Sequence, residues 1–469
     1  MIRVGACAHS PGREVEIKQR LIQFFQLDRA GTTLRREVTG GVTTFLAMSY
    51  IIFVQPGLLS QAGMDFRAVM AATCISAAAA TLLMGLLANY PVAIAPGMGE
   101  NFFFVYTLCA AAPLGFGLSW QQALAAVFLA GAFFVVLTLS GFLTRLMAAI
   151  PACLKSGIAA GIGLFITFIG FQYGNLIVAN PGSLVQMGDL SDPVAQVSGL
   201  GLLIMIGLLA LRVRGAILLG ILASSAIAAA YGMVRFEGLF SADLRLGQTF
   251  WQADFAGLFS APVAQAATAL FVLFYLGLFD TVGTLVGVGQ QAGLMREGNL
   301  PRAGRALFSA AFGTTLAGAA GTTTLTCYVE SATGVSEGAR TGLANLVTGL
   351  LFLVAMFFSP LASMIGGGVE AGNGSGGTVL RFPTLAPALI VVGSMMLKAV
   401  RDFEWEEPTE YIPSFLVTIG IPLTFSIAHG IAFGFISYAL AKLVTGRGKE
   451  CHPLMYFFAV LFLVQMLLV

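Results

Sequence analysis

Residues Pro91–Phe104 read PVAIAPGMGENFFF, and they interrupt a long uncharged run. Pro96 removes a backbone donor, and Gly97 and Gly99 permit turns that a continuous helix resists. A second such segment, Thr322–Gly334, reads TTTLTCYVESATG. Its β-branched and hydroxyl residues suit a short extended stretch. At membrane depth, irregular backbone is tolerated only where protein or a watery cavity covers it. Each segment is therefore expected to continue as a half-helix whose first N–H groups point into a cavity.

That the solvent is a membrane follows from composition. Of 469 residues, 57% are hydrophobic and only 10% charged, with a mean hydropathy of +0.89. A soluble domain carries about 25% charged residues. The charges are also bunched: none lies between Arg67 and Glu100, Glu100 and Arg145, Lys155 and Asp189, or Arg340 and Glu370. A span needs roughly 20 apolar residues, so these runs hold one or two spans each. The 57 Gly fit helices that approach closely. A formal charge of +2 points to no nucleic-acid partner. The first 40 residues are mixed polar and do not read as a cleaved signal peptide.

Hydropathy places spans near 42–60, 68–88, 91–109, 121–141, 155–175, 198–211, 215–233, 263–288, 303–320, 322–337, 341–358, 384–400, 411–426 and 428–444. The apolar stretch 453–469 is left as a further span or an interfacial segment. Basic residues fall at alternate span ends: Arg29, Arg35 and Arg36; Arg145 and Lys155; Arg212 and Arg214; Arg296, Arg302 and Arg305; and Lys442, Arg447 and Lys449. The positive-inside rule then makes the N-terminus cytoplasmic and favours fourteen spans in the cell (inner or plasma) membrane. The loop near 234–262 and the glycine-rich Gly366–Gly377 are expected outside, the latter as a flexible connection.

The chain also resembles itself. GLLSQAGM (Gly57–Met64) and GVGQQAGL (Gly287–Leu294) agree at Gly, Gln, Ala and Gly, and they are 230 residues apart (287 − 57). The same interval carries Glu100 onto Glu330 (330 − 100). Seven spans before the outside loop and seven after it run antiparallel, because seven is odd. The expected fold is an all-α polytopic membrane protein of about 14 transmembrane segments in a 7+7 inverted repeat, with short extended stretches in spans three and ten.

Three carboxylates lie within uncharged runs: Glu100, Asp280 and Glu330. Each costs about 2.5–3.5 kcal/mol at a bilayer centre, so together they rival the roughly 5–15 kcal/mol that holds a typical domain. They are expected to face a cavity. Burial disfavours the charged form of a carboxyl, which suits a proton carrier. The structural alternatives are a cap on a broken helix or a pairing with a neighbour. The six scattered Cys contain no C-x-x-C pair, and the three His offer no metal-ligand spacing. Gly157–Gly161 reads as a helix-packing GxxxG.

Four stretches together resemble the AzgA-type purine permeases of the nucleobase:cation symporter-2 superfamily. They are TTFLAMSYIIFVQPGLL (from Thr43), PGMGEN (from Pro96), FDTVGTLVGVGQQAGL (from Phe279) and YVESATGVSEGARTGL (from Tyr328). The likeness runs from about Leu34 to His452. It implies the uracil-permease fold, proton-coupled uptake of adenine, guanine or hypoxanthine, and a homodimer. It also implies a division of the chain. Residues 1–38 form a cytoplasmic segment, and 39–145 and 262–365 a core domain (spans 1–4 and 8–11). Residues 146–235 and 383–469 form a gate, with loops at 236–261 and 366–382. Asp280 and Glu330 fall on the family's acidic positions, and Asn101 on the Asn of its PGMGxN motif. Glu100 stands where an apolar residue is common and Phe102 where a small one is usual. Gln55 replaces a frequent Asn, and Ser309 a frequent Asp.

The expected site is therefore Asp280, Thr281, Glu330, Ser331, Glu100, Asn101, Gly97, Gly99 and Phe102. Glu330 accepts N–H groups of a planar base, and Asp280 beside it exchanges the coupling proton. Asn101 and freed backbone N–H groups near Gly97–Gly99 and Ser331–Ala332 meet the base's acceptors. Phe102 or Phe103 is a candidate stacking ring. No cofactor or metal is expected beyond the proton; the partners are a small nucleobase and the lipid bilayer. Xanthine, uracil or another planar heterocycle is an alternative cargo. An anion carrier of the same fold is a rival, which should place a cation at the half-helix ends. No metal cluster, nucleophile–His pair or phosphate loop supports an enzyme.

Overall fold

The computed structural model describes residues 11–111, 115–140, 151–180, 182–234, 236, 238–295, 300–372 and 378–468. Arg145, Glu237, Arg296 and residues 373–377 of the glycine-rich stretch lie outside the described residues. The fold is predominantly helical. In chain order come α1 (Pro11–Phe25), α2 (Leu34–Met48), α3 (Ile51–Leu59), α4 (Phe66–Leu83), α5 (Met98–Phe103), α6 (Trp120–Ser140) and α7 (Ala152–Tyr173). Then follow α8 (Pro193–Ala210), α9 (Ala216–Ala230), α10 (Phe255–Ser260), α11 (Val263–Gln291), α12 (Ala303–Ala320) and α13 (Ser331–Ser336). The remainder are α14 (Leu343–Ala355), α15 (Ser359–Gly366), α16 (Ala386–Met396), α17 (Pro408–Thr424), α18 (Ile427–Val444) and α19 (Pro453–Leu468).

Among the described residues, eight helices are long and apolar enough to cross a membrane: Leu34–Ala62, Phe66–Ala88, Trp120–Ser140, Ala152–Tyr173, Pro193–Ala210, Val263–Gln291, Leu343–Gly366 and Ile427–Val444. Their starts are written in polar side chains. Asp65, Asp192 and Ser426 each accept a backbone N–H from the first turn of the helix that follows, satisfying a donor the helix leaves open. The stretch left open at 453–469 is α19, which packs on α11 and α18. Its Phe458 ring stacks on Phe271 at 3.9 Å between centroids. The glycine-rich stretch is flanked by a pair of strands, Val369–Gly372 and Thr378–Arg381.

The two interrupted segments meet. Strand β1 (Ile94–Pro96) pairs antiparallel with a second strand (Leu325–Cys327), Ile94 opposite Cys327 and Pro96 opposite Leu325. Both are fully buried, so their outer edges need partners. A threonine hydroxyl supplies them on each side. Thr81 Oγ1 donates to the Ile94 carbonyl at 3.0 Å and accepts its N–H at 2.9 Å. Thr314 Oγ1 does both for Leu325 at 3.1 Å.

The helices sort into two packing groups. In one, α12 lies along α6 and α4, and α14 lies along α2 and α4. In the other, α7 packs against α16 and α17, α17 against α18, and α8 against α9. The Gly157–Gly161 pair serves that packing. A Cβ on Gly157 would sit 2.8 Å from the Ser414 carbonyl, and one on Gly161 3.0 Å from that of Val417. Only glycine lets α7 and α17 come so close.

Candidate functional site

A cavity of about 590 Å³ opens between the two groups, within the size range of ligand pockets. One wall is Gly99 and Glu100 of α5 together with Asp280, Gly283 and Thr284 of α11. Val329 and Ala332 close it beside α13, and Lys155, Ile162 and Asp402 come from the second group. Asp280 is exposed, and the space it faces is this cavity. Across it, Lys155 Nζ stands 4.6 Å from the centre of the Phe279 ring, a cation–π distance.

Glu100 is buried, with 1% of its surface exposed, and its Oε1 has no hydrogen-bond partner. Its other oxygen lies over Gly97, where a Cβ would come within 2.2 Å of it. Glycine at 97 thus makes room for the Glu100 carboxylate, while its backbone angles are ordinary extended ones. Glu330 occupies a different setting. It is the residue preceding α13, half-buried, and accepts the Tyr50 hydroxyl at 2.9 Å. Glu330 is not among the residues lining the cavity, although its neighbour Val329 is.

The remaining expected residues divide in the same way. Asn101 is buried behind Glu100; its Oδ1 accepts the Thr323 hydroxyl, and its Nδ2 has no partner. Thr323 and Thr322 also accept from Gln55 Nε2, both at 3.0 Å. Thr281 is buried with an unpartnered hydroxyl. Phe102 is buried in a ring cluster with Tyr106 and Phe165, each 6.0 Å away. Phe103 is buried too.

Three of the backbone donors expected to be free are engaged. Gly97 N–H bonds to Thr324 O at 3.0 Å, Ser331 N–H to Tyr328 O at 3.1 Å and Ala332 N–H to Val329 O at 2.9 Å. Ser331 Oγ accepts from Ala93 N–H at 3.0 Å. The strand pair takes the Gly97 N–H, and local turns take those of Ser331 and Ala332. Ser309 donates to Arg305 O at 3.0 Å and faces no base.

Sequence reasoning missed Tyr50, Lys155, Phe279 and the threonines of TTTLT. The threonines carried a readable signal, since alternate residues of a strand share a face. Tyr50 and Lys155 carried none, because their partners are 280 and 124 positions away. A further cluster closes the opposite end of α7. Tyr106 OH donates to Gln61 Oε1 at 2.9 Å and lies 2.7 Å from Tyr173 OH, while Gln61 Nε2 also donates to Tyr173. Lys155 begins α7 and Tyr173 ends it, roughly 27 Å apart at 1.5 Å per residue.

Comparison with known proteins now separates these possibilities. Residues 35–433 match the Permease family. The chain belongs to that family. It is 41% identical over 452 residues to the guanine/hypoxanthine permease PbuG of Bacillus subtilis (strain 168), covering 94% of this chain and 98% of that one. It is 38% identical over 450 residues to the adenine permease AdeP of Escherichia coli (strain K12), covering 96% of each. The purine-permease resemblance read from the motifs therefore holds. Among solved structures, the transmembrane domain of a cyanobacterium bicarbonate transporter, BicA, superposes with a TM-score of 0.56 at 16% identity, over 86% of this chain and 97% of that one. That likeness concerns the fold alone. The permease is an integral membrane protein and a transporter.

Proposed function

We propose that this permease takes up a purine nucleobase (adenine, guanine or hypoxanthine) together with a proton, by alternating access. The observation that carries the reading is the cavity itself: two carboxylates, Glu100 and Asp280, share one wall of a space large enough for a bicyclic base. Planar bases present N–H edges that carboxylates accept in pairs. The names of the 38–41% identical permeases supply the purine. Asp280, open to the cavity, is the proton-exchanging group. Glu330, one residue beyond the cavity wall, reaches the base when the core moves. Gly97, Gly99, Asn101, Thr281, Ser331 and Phe102 shape or support the site.

Alternating access is supported by the contrast between the two ends of α7. The cavity lies at the Lys155 end, and the Gln61–Tyr106–Tyr173 cluster seals the other. The seven-plus-seven inverted repeat is supported by the strand register. With an interval of 230 residues, a twofold axis passes midway along both strands, between Ala95 and Pro96 and between Leu325 and Thr326. Positive-inside counting then puts the N-terminus and the cavity mouth in the cytoplasm, and a homodimer in the cell membrane follows the family.

Proteoliposome uptake of radiolabelled hypoxanthine, driven by an inward proton gradient, tests the reading. Asp280→Asn is expected to lower uptake at least tenfold and to abolish its dependence on the gradient. Wild-type uptake indifferent to the gradient, or unchanged in Asp280→Asn and Glu330→Gln, overturns it.

A further inference from the structure

Glu100 and Asp280 give the cavity acceptors, and a purine also presents acceptors of its own that call for donors. The backbone donors at Gly97, Ser331 and Ala332 are engaged, and Asn101 lies outside the lining. The lining side chains able to donate are Lys155, Ser156, Tyr275, Thr284 and Gln291. Gln291 Nε2 already donates to the Ala332 carbonyl at 3.3 Å. Two of the others gather at Phe279. Tyr275 is 2% exposed, and its hydroxyl is buried without a hydrogen-bond partner. Its ring lies 4.6 Å from that of Phe279, one helical turn further along α11. Lys155 Nζ stands 4.6 Å from the centre of the same Phe279 ring. Phe435 packs edge-on against Tyr275 at 5.9 Å, which holds its ring in place. Phe279 and Asp280 are consecutive, so their side chains leave α11 about 100° apart. Donors and acceptors therefore stand on different sides of one space.

We propose that Lys155 and Tyr275 read the 6-oxo group of the base and make this permease prefer hypoxanthine and guanine to adenine, an inference that rests on the nucleobase reading. The preference follows from what each group can do. Lys155 is the one donor in the lining that has no acceptor, so its ammonium meets a carbonyl oxygen and opposes an N–H. Guanine and hypoxanthine carry O6 where adenine carries an amino group. Tyr275 adds a hydroxyl that is already buried and unpartnered, so bonding a carbonyl costs it no water. A site built to hydrogen-bond one group rejects the analogue lacking it far more strongly than an apolar pocket rejects a change of size. Glu100 and Asp280, on the other side, accept the ring N–H. A lysine that only balanced two carboxylates would affect every base alike, and that difference is measurable.

Binding of tritiated hypoxanthine and adenine to the full-length protein, purified in detergent at fixed pH and measured by scintillation proximity, tests this without transport. The wild type is expected to bind hypoxanthine about tenfold or more tighter than adenine, the worth of one hydrogen bond to a charged group. Lys155→Met should remove most of that ratio by weakening hypoxanthine and sparing adenine. Lys155→Arg, which keeps a donor-only cation, should retain the preference. Tyr275→Phe deletes only the hydroxyl; it should weaken hypoxanthine severalfold with adenine unchanged, and it carries the test if Lys155→Met does not fold. Wild-type affinities that are equal or favour adenine, or a base ratio unchanged in both Lys155→Met and Tyr275→Phe, overturn the proposal and leave the nucleobase reading standing. Binding of neither base to the wild type would strike the nucleobase reading, and this inference with it.

Discussion

The two interrupted segments are alike in build, a short strand followed by a short helix, and unlike in surroundings. Each has a short strand whose outer edge is satisfied by one threonine hydroxyl, Thr81 or Thr314. Each carries a glutamate shortly after its strand, Glu100 past Pro96 and Glu330 past Cys327. Yet Glu100 sits inside α5, with 1% exposure and one oxygen unpartnered, whereas Glu330 precedes α13, half-buried and held by Tyr50. Two similar strand-to-helix segments thus acquire different roles from their tertiary neighbours. Part of the difference comes from one residue of the first span: the Tyr50 hydroxyl donates to Glu330, and no donor meets Glu100 Oε1.

Packing offers the harshest way to break the pair. A Cβ on Gly334 of the second segment would fall 2.5 Å from the Gly40 carbonyl and 2.1 Å from Thr44 Oγ1. Gly334→Val is expected to cost about 3 kcal/mol or more through overpacking against backbone, seen as loss of the monodisperse peak in size-exclusion chromatography. A normally folded variant would mean that the second segment is not clamped where α13 meets α2.

Charge should separate the glutamates by sign. Removing one partner of a hydrogen bond to a charged group costs about 1.5–3 kcal/mol, so Tyr50→Phe is expected to lower the melting temperature and reduce uptake severalfold. Glu100→Gln removes an unpartnered buried carboxylate. It should raise the melting temperature by a few degrees, because a buried neutral amide costs less than a buried unpaired carboxylate. Melting curves of the two variants that shift in the same direction would erase the distinction drawn between the segments.

A charged cluster far from both segments sets the lower end of the scale. Arg447 pairs with Glu407 and Glu450, each at 2.9 Å, on the exposed surface. Hydrogen bonds from Thr409 and Arg447 hold the Glu407 carboxyl below the usual carboxylate range, and Arg447 and Lys442 do the same for Glu450. Their contribution is present above the ordinary carboxylate pKa of about 4.3 and is lost as pH falls through the lowered folded-state values. Arg447→Ala should therefore flatten the acid limb of stability against pH below about pH 4, with little effect near neutrality, where exposed pairs are screened by salt. Chemical denaturation between pH 3 and pH 7 measures it.

Three of the expected site residues reach the cavity. Gly99, Glu100 and Asp280 line the cavity, and they stood out as a turn former and two acids in uncharged runs. Phe102 did not go where a stacking ring is wanted, because Tyr106 and Phe165 offered it a ring cluster closer at hand. The donors at Gly97, Ser331 and Ala332 were spent on neighbouring carbonyls, an outcome that depends on strand pairing and local turns rather than on residue type.

By itself the sequence determined the solvent, the apolar segments, the two interruptions and the family. Each of these follows from local chemistry: apolar length, missing or permissive backbone donors, and motif identity. Only the tertiary structure decided which oxygens lack partners, that Lys155 faces Phe279 across the cavity, and that Tyr50 holds Glu330. Those facts join residues more than a hundred positions apart. Such contacts are settled by how helices pack, and no periodicity within a single segment encodes them.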